Sequence, residues 1–161
     1  MGEPSDPNNE PGTWELHLEV PNVSEAPNGD RISVTGSGVF SVHPKSVTAS
    51  GTFTHTDADG SVVGSGAWTA DKLLSFELYG CGIGVTLPPD FCGGALKLDV
   101  TLTPTGTNLA LDGKLTIFCI VGPQAPSSHD DPSEEGIRLV LPGVANFNQI
   151  VSGMNIYIQT S

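Results

Sequence analysis

Apolar and polar positions alternate along most of this chain, with the two-residue period of β-strands. TWELHLEV, from Thr13, puts Trp14, Leu16, Leu18 and Val20 on one face and Glu15, His17 and Glu19 on the other. That is the pattern of a half-buried strand. PNVSEAPNGD follows and reads as a turn region, because Pro, Asn and Gly crowd it.

Three later segments share one pattern. VTGSGVFS from Val34, VTASGTFT from Val47 and VVGSGAWT from Val62 each read Val-x-small-Ser-Gly-x-aromatic-Ser/Thr. Their starts are 13 and 15 residues apart, the length of a strand plus a turn. The repeat predicts a three-stranded antiparallel meander, with SVHPKS and TDADGS as its turns. Asp59-Gly60 is a strong turn dipeptide, expected here as a type I′ hairpin. One face then carries Val34, Gly36, Gly38 and Phe40. The matching face of the second segment carries Val47, Ala49, Gly51 and Phe53, and that of the third Val62, Gly64, Gly66 and Trp68. Glycine inside a strand is costly unless the sheet bends sharply or another group packs down on the backbone. The small-residue band therefore predicts strong curvature or aromatic rings lying on the main chain.

Strands continue beyond the meander. KLLSFELYG groups Leu74, Phe76 and Leu78. ALKLDVTLTPTG turns Leu96, Leu98, Val100 and Leu102 inward and Lys97 and Asp99 outward. NLALDG leads into KLTIFCIVG, which is apolar on both faces and so belongs in a central or doubly covered place. GIRLVLPG and MNIYIQT supply closing strands after the polar loop PQAPSSHDDPSEEG. No window shows a helical period of useful length. The expected fold is all-β and antiparallel, a β-barrel or compact β-sandwich of nine to ten short strands. Residues 13–161 form the single domain. Residues 1–12, rich in Pro, Asn and acid, are expected to be a disordered arm.

The charge balance narrows the partners. Across 161 residues, 18 Asp and Glu face 6 Lys and Arg, for a net charge of −12. Nucleic acid and anionic membranes both need clustered cations, so neither is expected as a partner. No stretch is long and apolar enough to span a bilayer, so membrane insertion is not expected. MGEPSDPNNEPG lacks a basic n-region and an apolar h-region and is not read as a signal peptide. The abundance of Gly, Ser, Thr, Asn and Pro beside few Lys leans toward an extracytoplasmic setting. The sequon Asn22-Val23-Ser24 matters only in a eukaryotic secretory pathway.

The cysteines number three, and an odd number argues against a complete disulfide framework. Cys81 and Cys92 flank a Gly/Pro-rich stretch of ten residues. A bridge there would stabilise by about 3 kcal/mol in the chain-entropy model, and two free thiols are the alternative. Cys119, inside LTIFCIV, reads as a small core hydrophobe.

Candidate chemistry is sparse. In HTDADGS the alternate residues His55, Asp57 and Asp59 could offer oxygen ligands to a cation such as Ca²⁺, with Asp57 and Asp59 as the metal candidates. The plainer reading is a hairpin turn. SSHDDPSEEG gathers His129, Asp130, Asp131, Glu134 and Glu135, a metal or acid/base candidate whose plainer reading is a solvated acidic loop. There is no nucleophile elbow, P-loop or dinucleotide fingerprint, and no cofactor is called for. His17 and Glu15 share an outward face and read as an exposed pair. His55 is the one titratable residue that stands out at an inward position.

The Gly12-Thr13-Trp14 triplet resembles the G-x-W element that opens strand one in lipocalins and other calycin barrels. It covers three of 161 residues. The resemblance implies an antiparallel barrel with an apolar ligand cavity and the Trp packed across the barrel base.

Three functions follow as expectations. The first is a non-enzymatic binding module for a small apolar or carbohydrate-like ligand, with Phe40, Phe53, Trp68 and Phe76 lining its cavity or groove; plain core is the competing role for those rings. The second is a structural, self-associating protein of surfaces or filaments. The third is a cofactor-independent barrel cyclase or isomerase.

Overall fold

The computed structural model describes residues 12–81, 90–120 and 135–160. These residues form eleven strands and no helix. Every pairing is antiparallel, and all strands belong to one sheet bent into a ring. The strands are β1 (Thr13–Leu18), β2 (Asn22–Glu25), β3 (Arg31–Val42), β4 (Lys45–Thr56), β5 (Val62–Cys81), β6 (Phe91–Pro104), β7 (Leu111–Cys119), β8 (Gly136–Leu141), β9 (Ala145–Phe147), β10 (Gln149–Ser152) and β11 (Asn155–Gln159).

The predicted meander is β3–β4–β5. β3 and β4 pair along their whole length from Arg31↔Thr56 to Val42↔Lys45, and β4 pairs on into β5. The small-residue band works as expected. A Cβ on Gly51 would overlap the Thr35 carbonyl oxygen, and one on Gly36 would enter the Trp68 ring. Neighbouring backbones thus approach each other on the concave side more closely than any larger residue allows, and the sheet curls there.

The ring forks. One edge of β3 is shared by β2, opposite Arg31–Val34, and by β1, opposite residues 37–41. One edge of β6 is likewise shared by β11, opposite Phe91 and Cys92, and by β7, opposite Gly94–Leu102. β11 also pairs with β1, so β1, β3, β4, β5, β6 and β11 close a narrow end. On the other branch β7 pairs β8 and β8 pairs β9. β10 then continues past Asn148 and pairs β2, which completes a wider end. This is a ring of sheet and not a uniform barrel.

Several details depart from the expected pattern. VVGSGAWT and KLLSFELYG are a single 20-residue strand, β5, and β3, β4 and β6 are also long where short strands were expected. Three register shifts on β5, at Ala70/Lys72, Leu73/Ser75 and Leu78/Gly80, insert extra residues against β6. Each bulge reverses which parity faces inward. Leu73 therefore turns into the core, and after the second bulge Phe76 and Leu78 pack against it as expected, while Leu74 does not join the core cluster. Val62 was expected in the core but is 65% exposed, because a register shift at His55/Thr56 breaks the ladder beside it. PNVSEAPNGD contains β2 as well as a turn. The Asp59-Gly60 turn is not type I′. Gly60 N–H donates to the Asp57 carbonyl and Asp57 N–H to the Ser61 carbonyl, with Gly60 at φ +87°, the three-residue turn that ends in a glycine bulge.

The inward faces fill the ring. Leu96, Leu98, Val100 and Leu102 of β6 are buried as predicted, and so are Leu115 and Ile117 of the central strand β7. At the narrow end Trp14 stacks on Phe40 at 5.6 Å, and Phe76 and Tyr157 complete the group edge-on. Such pairs add about 0.5–1.5 kcal/mol beyond the area they bury. Trp14 thus lies across the floor of the narrow end. Where β2 faces β8 without a backbone ladder, side chains fasten the gap. Asn155 Nδ2 donates to Asn22 Oδ1 (2.8 Å) and to the Phe118 carbonyl (3.0 Å), and the Ser24 hydroxyl donates to the Ile137 carbonyl. Cys81 and Cys92 form a disulfide that ties β5 to β6, and Cys119 is a buried cysteine outside that bridge.

Candidate functional site

The four aromatics expected to line a cavity divide between the two ends. Phe40 and Phe76 belong to the packed floor with Trp14 and Tyr157. Trp68 is buried and its Nε1 donates to the Thr35 carbonyl at 2.7 Å, so both its ring and its polar atom are satisfied internally. The free space between Trp68, Phe53 and the β6 and β7 leucines is about 10 Å³. That is at most a single water's worth of room, and no ligand fits it. Only Phe53 also reaches an open concavity.

That concavity is the mouth of the wide end. It has a volume of about 180 Å³ and is walled by Phe53, Leu111, Leu141 and Phe147, with Val63 and Val144 at its rim. Val63 is 57% exposed and Val144 61%. Branched apolar side chains left this open beside an apolar hollow mark a surface that gains by being covered. Local chemistry holds the rim in place. Leu141-Pro142-Gly143-Val144 is a tight turn in which Val144 N–H donates to the Leu141 carbonyl at 2.9 Å. Gly143, at φ +77°, takes the left-handed place that a type II turn requires after Pro.

One polar side chain enters this lining, that of His55. It sits near the end of β4 and packs edge-on against Phe147, with centroids 5.5 Å apart. Its Nε2 lies 2.8 Å from Asp30 Oδ2. Asp30 is placed by a turn like the one after β4: Gly29 N–H donates to the Ala26 carbonyl, Ala26 N–H to the Asp30 carbonyl, and Asp30 N–H to Asn28 Oδ1. The two turns abut, since a Cβ on Gly29 would lie 2.9 Å from the Ala58 methyl. Sequence reading had singled out His55 but missed Asp30. The signal available was the repetition of Asn/Asp-Gly at Asn28-Gly29 and Asp59-Gly60, which sets two equal turns side by side.

Asp57 and Asp59, the metal candidates, lie in the second of these turns. Asp57 Oδ1 accepts from the backbone N–H groups of Asp59 (2.9 Å) and Ser61 (3.0 Å), the work of a turn-forming aspartate. Among the described residues no three His, Cys, Asp or Glu side chains come together as a ligand set. His129, Asp130, Asp131 and Glu134 lie outside the described residues. Glu135 lies within them, and its carboxylate accepts from the N–H groups of Asn155 (2.7 Å) and Ile120 (3.2 Å). Burial raises its pKa above the usual carboxylate value, and the two N–H donors partly oppose the rise. His17 and Glu15 pair at 2.9 Å on the outer surface.

A second, wider concavity of about 550 Å³ runs over the outer face of β5, β6 and β7. Its lining is mostly charged, and two of its carboxylates are already engaged: Lys114 Nζ donates to Asp99 Oδ1 (2.8 Å) and Thr101 to Asp71 Oδ2 (2.5 Å). The mouth, with its unsatisfied apolar rim, is therefore the stronger candidate.

No protein-family model, no curated protein and no solved structure matches this chain.

Proposed function

We propose that the protein is a small binding module whose open mouth takes one apolar group of a small molecule. The observation that carries this reading is the 180 Å³ hollow with the exposed Val63 and Val144 at its rim. Its size sets the scale of the guest. A dry apolar cavity of about 150 Å³ takes up benzene, so this one suits a single ring or a branched alkyl group and not a polycyclic or drug-sized body. Binding here draws on the same burial that built the core, about 25 cal/mol for each Å² of apolar surface covered.

Titration with toluene and phenol, followed through the methyl and aromatic NMR signals, tests the proposal. Shifts confined to Val63, Leu111, Leu141, Val144 and Phe147, with Trp14 and Phe40 unmoved, are the expected result. Shifts at the floor aromatics, or no saturable shift with either compound, would overturn it.

A second reading, a cofactor-independent isomerase or cyclase, draws on the His55–Asp30 pair. A histidine held by a carboxylate beside an apolar pocket has the parts of a general base. Turnover would require the pocket to bind first, so the same titration decides whether this reading is worth pursuing.

A further inference from the structure

The mouth has one polar demand, and its chemistry can be read from the His55–Asp30 contact. An ionised carboxylate only accepts hydrogen bonds. With Nε2 at 2.8 Å from Asp30 Oδ2, the proton of that bond belongs to Nε2. In the neutral imidazole the other nitrogen, Nδ1, is then an acceptor. Nδ1 has no hydrogen-bond partner among the described residues, and every other side chain that lines the mouth is apolar. The ring cannot readily turn to hide it, because Asp30 holds one edge and Phe147 packs against the ring. Charge adds a second constraint. Asp30, Asp57 and Asp59 stand on the two abutting turns beside the mouth, in a chain of net charge −12. The nearby Arg31 is engaged by Glu25 at 2.8 Å. An anion would approach this rim against the field.

We infer that the mouth selects a small apolar ligand that carries a hydrogen-bond donor and no negative charge, a ring- or branched-alkyl-sized alcohol, phenol or amine, whose O–H or N–H is accepted by His55 Nδ1. This rests on the proposed binding at the mouth and specifies its ligand class. The apolar body fills the hollow between Phe53, Leu111 and Phe147. The donor satisfies Nδ1, and an analogue without it leaves that nitrogen desolvated and unpaired.

The test compares three probes of one size, phenol, toluene and benzoate, titrated into the intact protein by NMR. Phenol is expected to bind about tenfold more tightly than toluene, the worth of one hydrogen bond of about 1.4 kcal/mol, and benzoate more weakly than both. His55→Phe should remove the preference for phenol over toluene. A second measurement needs no substitution: the ¹⁵N shifts of His55 should report a proton on Nε2 and a lone pair on Nδ1 that changes on adding phenol. Equal binding of phenol and toluene, or a neutral His55 protonated on Nδ1, would overturn the inference and leave the binding site standing. Failure of all three probes to bind would overturn the site and the inference together.

Discussion

Trp68 and Val63 stand five residues apart on one strand and show how differently two large apolar side chains can be used. Trp68 is closed in on all sides and hydrogen-bonded to Thr35, while Val63 faces water at the mouth. Trp68→Ala should therefore cost about 3–5 kcal/mol of unfolding free energy in urea titrations, as a large cavity opens that the neighbours cannot fill. Val63→Ser should change stability by less than about 0.5 kcal/mol and weaken toluene binding. A weakly destabilised Trp68→Ala would mean that its ring is not core after all. Glu135 makes a different prediction. Its pKa is raised above 4.5 chiefly by burial, so the folded state holds the proton more tightly than the unfolded chain does. Stability linked to this group is greatest at low pH and falls as pH rises from about 4.5 through the raised folded value. Urea unfolding of wild type and Glu135→Gln across about pH 4.5 to 7.5 isolates it, since the net negative charge acts on both proteins alike. The difference between the two curves should slope in that window and be flat above it. His55 shows where sequence reading stops. It could be picked out because it follows Phe53 at the same parity, but its partner lies 25 residues away, and only the pairing of β3 with β4 brings Arg31 opposite Thr56 and so Asp30 within reach.

At the level of strands, the legible parts were those where periodicity ran unbroken. The three related segments, Val62 apart, and the β6 run Leu96–Leu98–Val100–Leu102 folded on the predicted faces, since apolar burial fixes the register wherever alternation is strict. Beyond Ala70 the reading of β5 held for Phe76 and Leu78 and failed at Leu73 and Leu74, and bulges explain why. An inserted residue leaves the composition unchanged but swaps the two faces, so Leu73 turned inward in place of Leu74. β2 was lost among turn residues because its inward side chains, Asn22 and Ser24, are polar. They look like loop and serve as the fastening to β8 and β11. That burial also disposes of the sequon: Asn22 is fully buried, with Nδ2 on the Val20 carbonyl, so a secreted, folded form should carry no glycan there, as intact-mass measurement would show. Where β5 meets β6 the Cys81–Cys92 bridge closes a short loop. Replacing both cysteines by serine should lower stability by about 3 kcal/mol, read as a shift of the urea midpoint. An unchanged midpoint would show that the bridge adds nothing in solution. Such a bridge fits an oxidising compartment.

Across the whole molecule the two ends divide the labour. The narrow end is a floor of stacked aromatics, and the wide end keeps a hollow walled by Phe53, Leu111, Leu141 and Phe147. The fork at β3 and β6 was beyond sequence reading, since one strand edge serving two partners leaves no trace in alternation. It also sets the order of events during synthesis. β1 lies between β3 and β11, and β11 is the final strand of the ring. Until Asn155–Gln159 have left the ribosome, Trp14 has only one wall, the floor lacks Tyr157, and Asn22 has no Asn155 to meet. A chain stopped at residue 150 would keep the meander but present a row of open main-chain groups along β1 and β6, a ready template for another copy of itself. Pairing of β11 with β1 and β6 is thus what separates a closed ring from a sticky sheet.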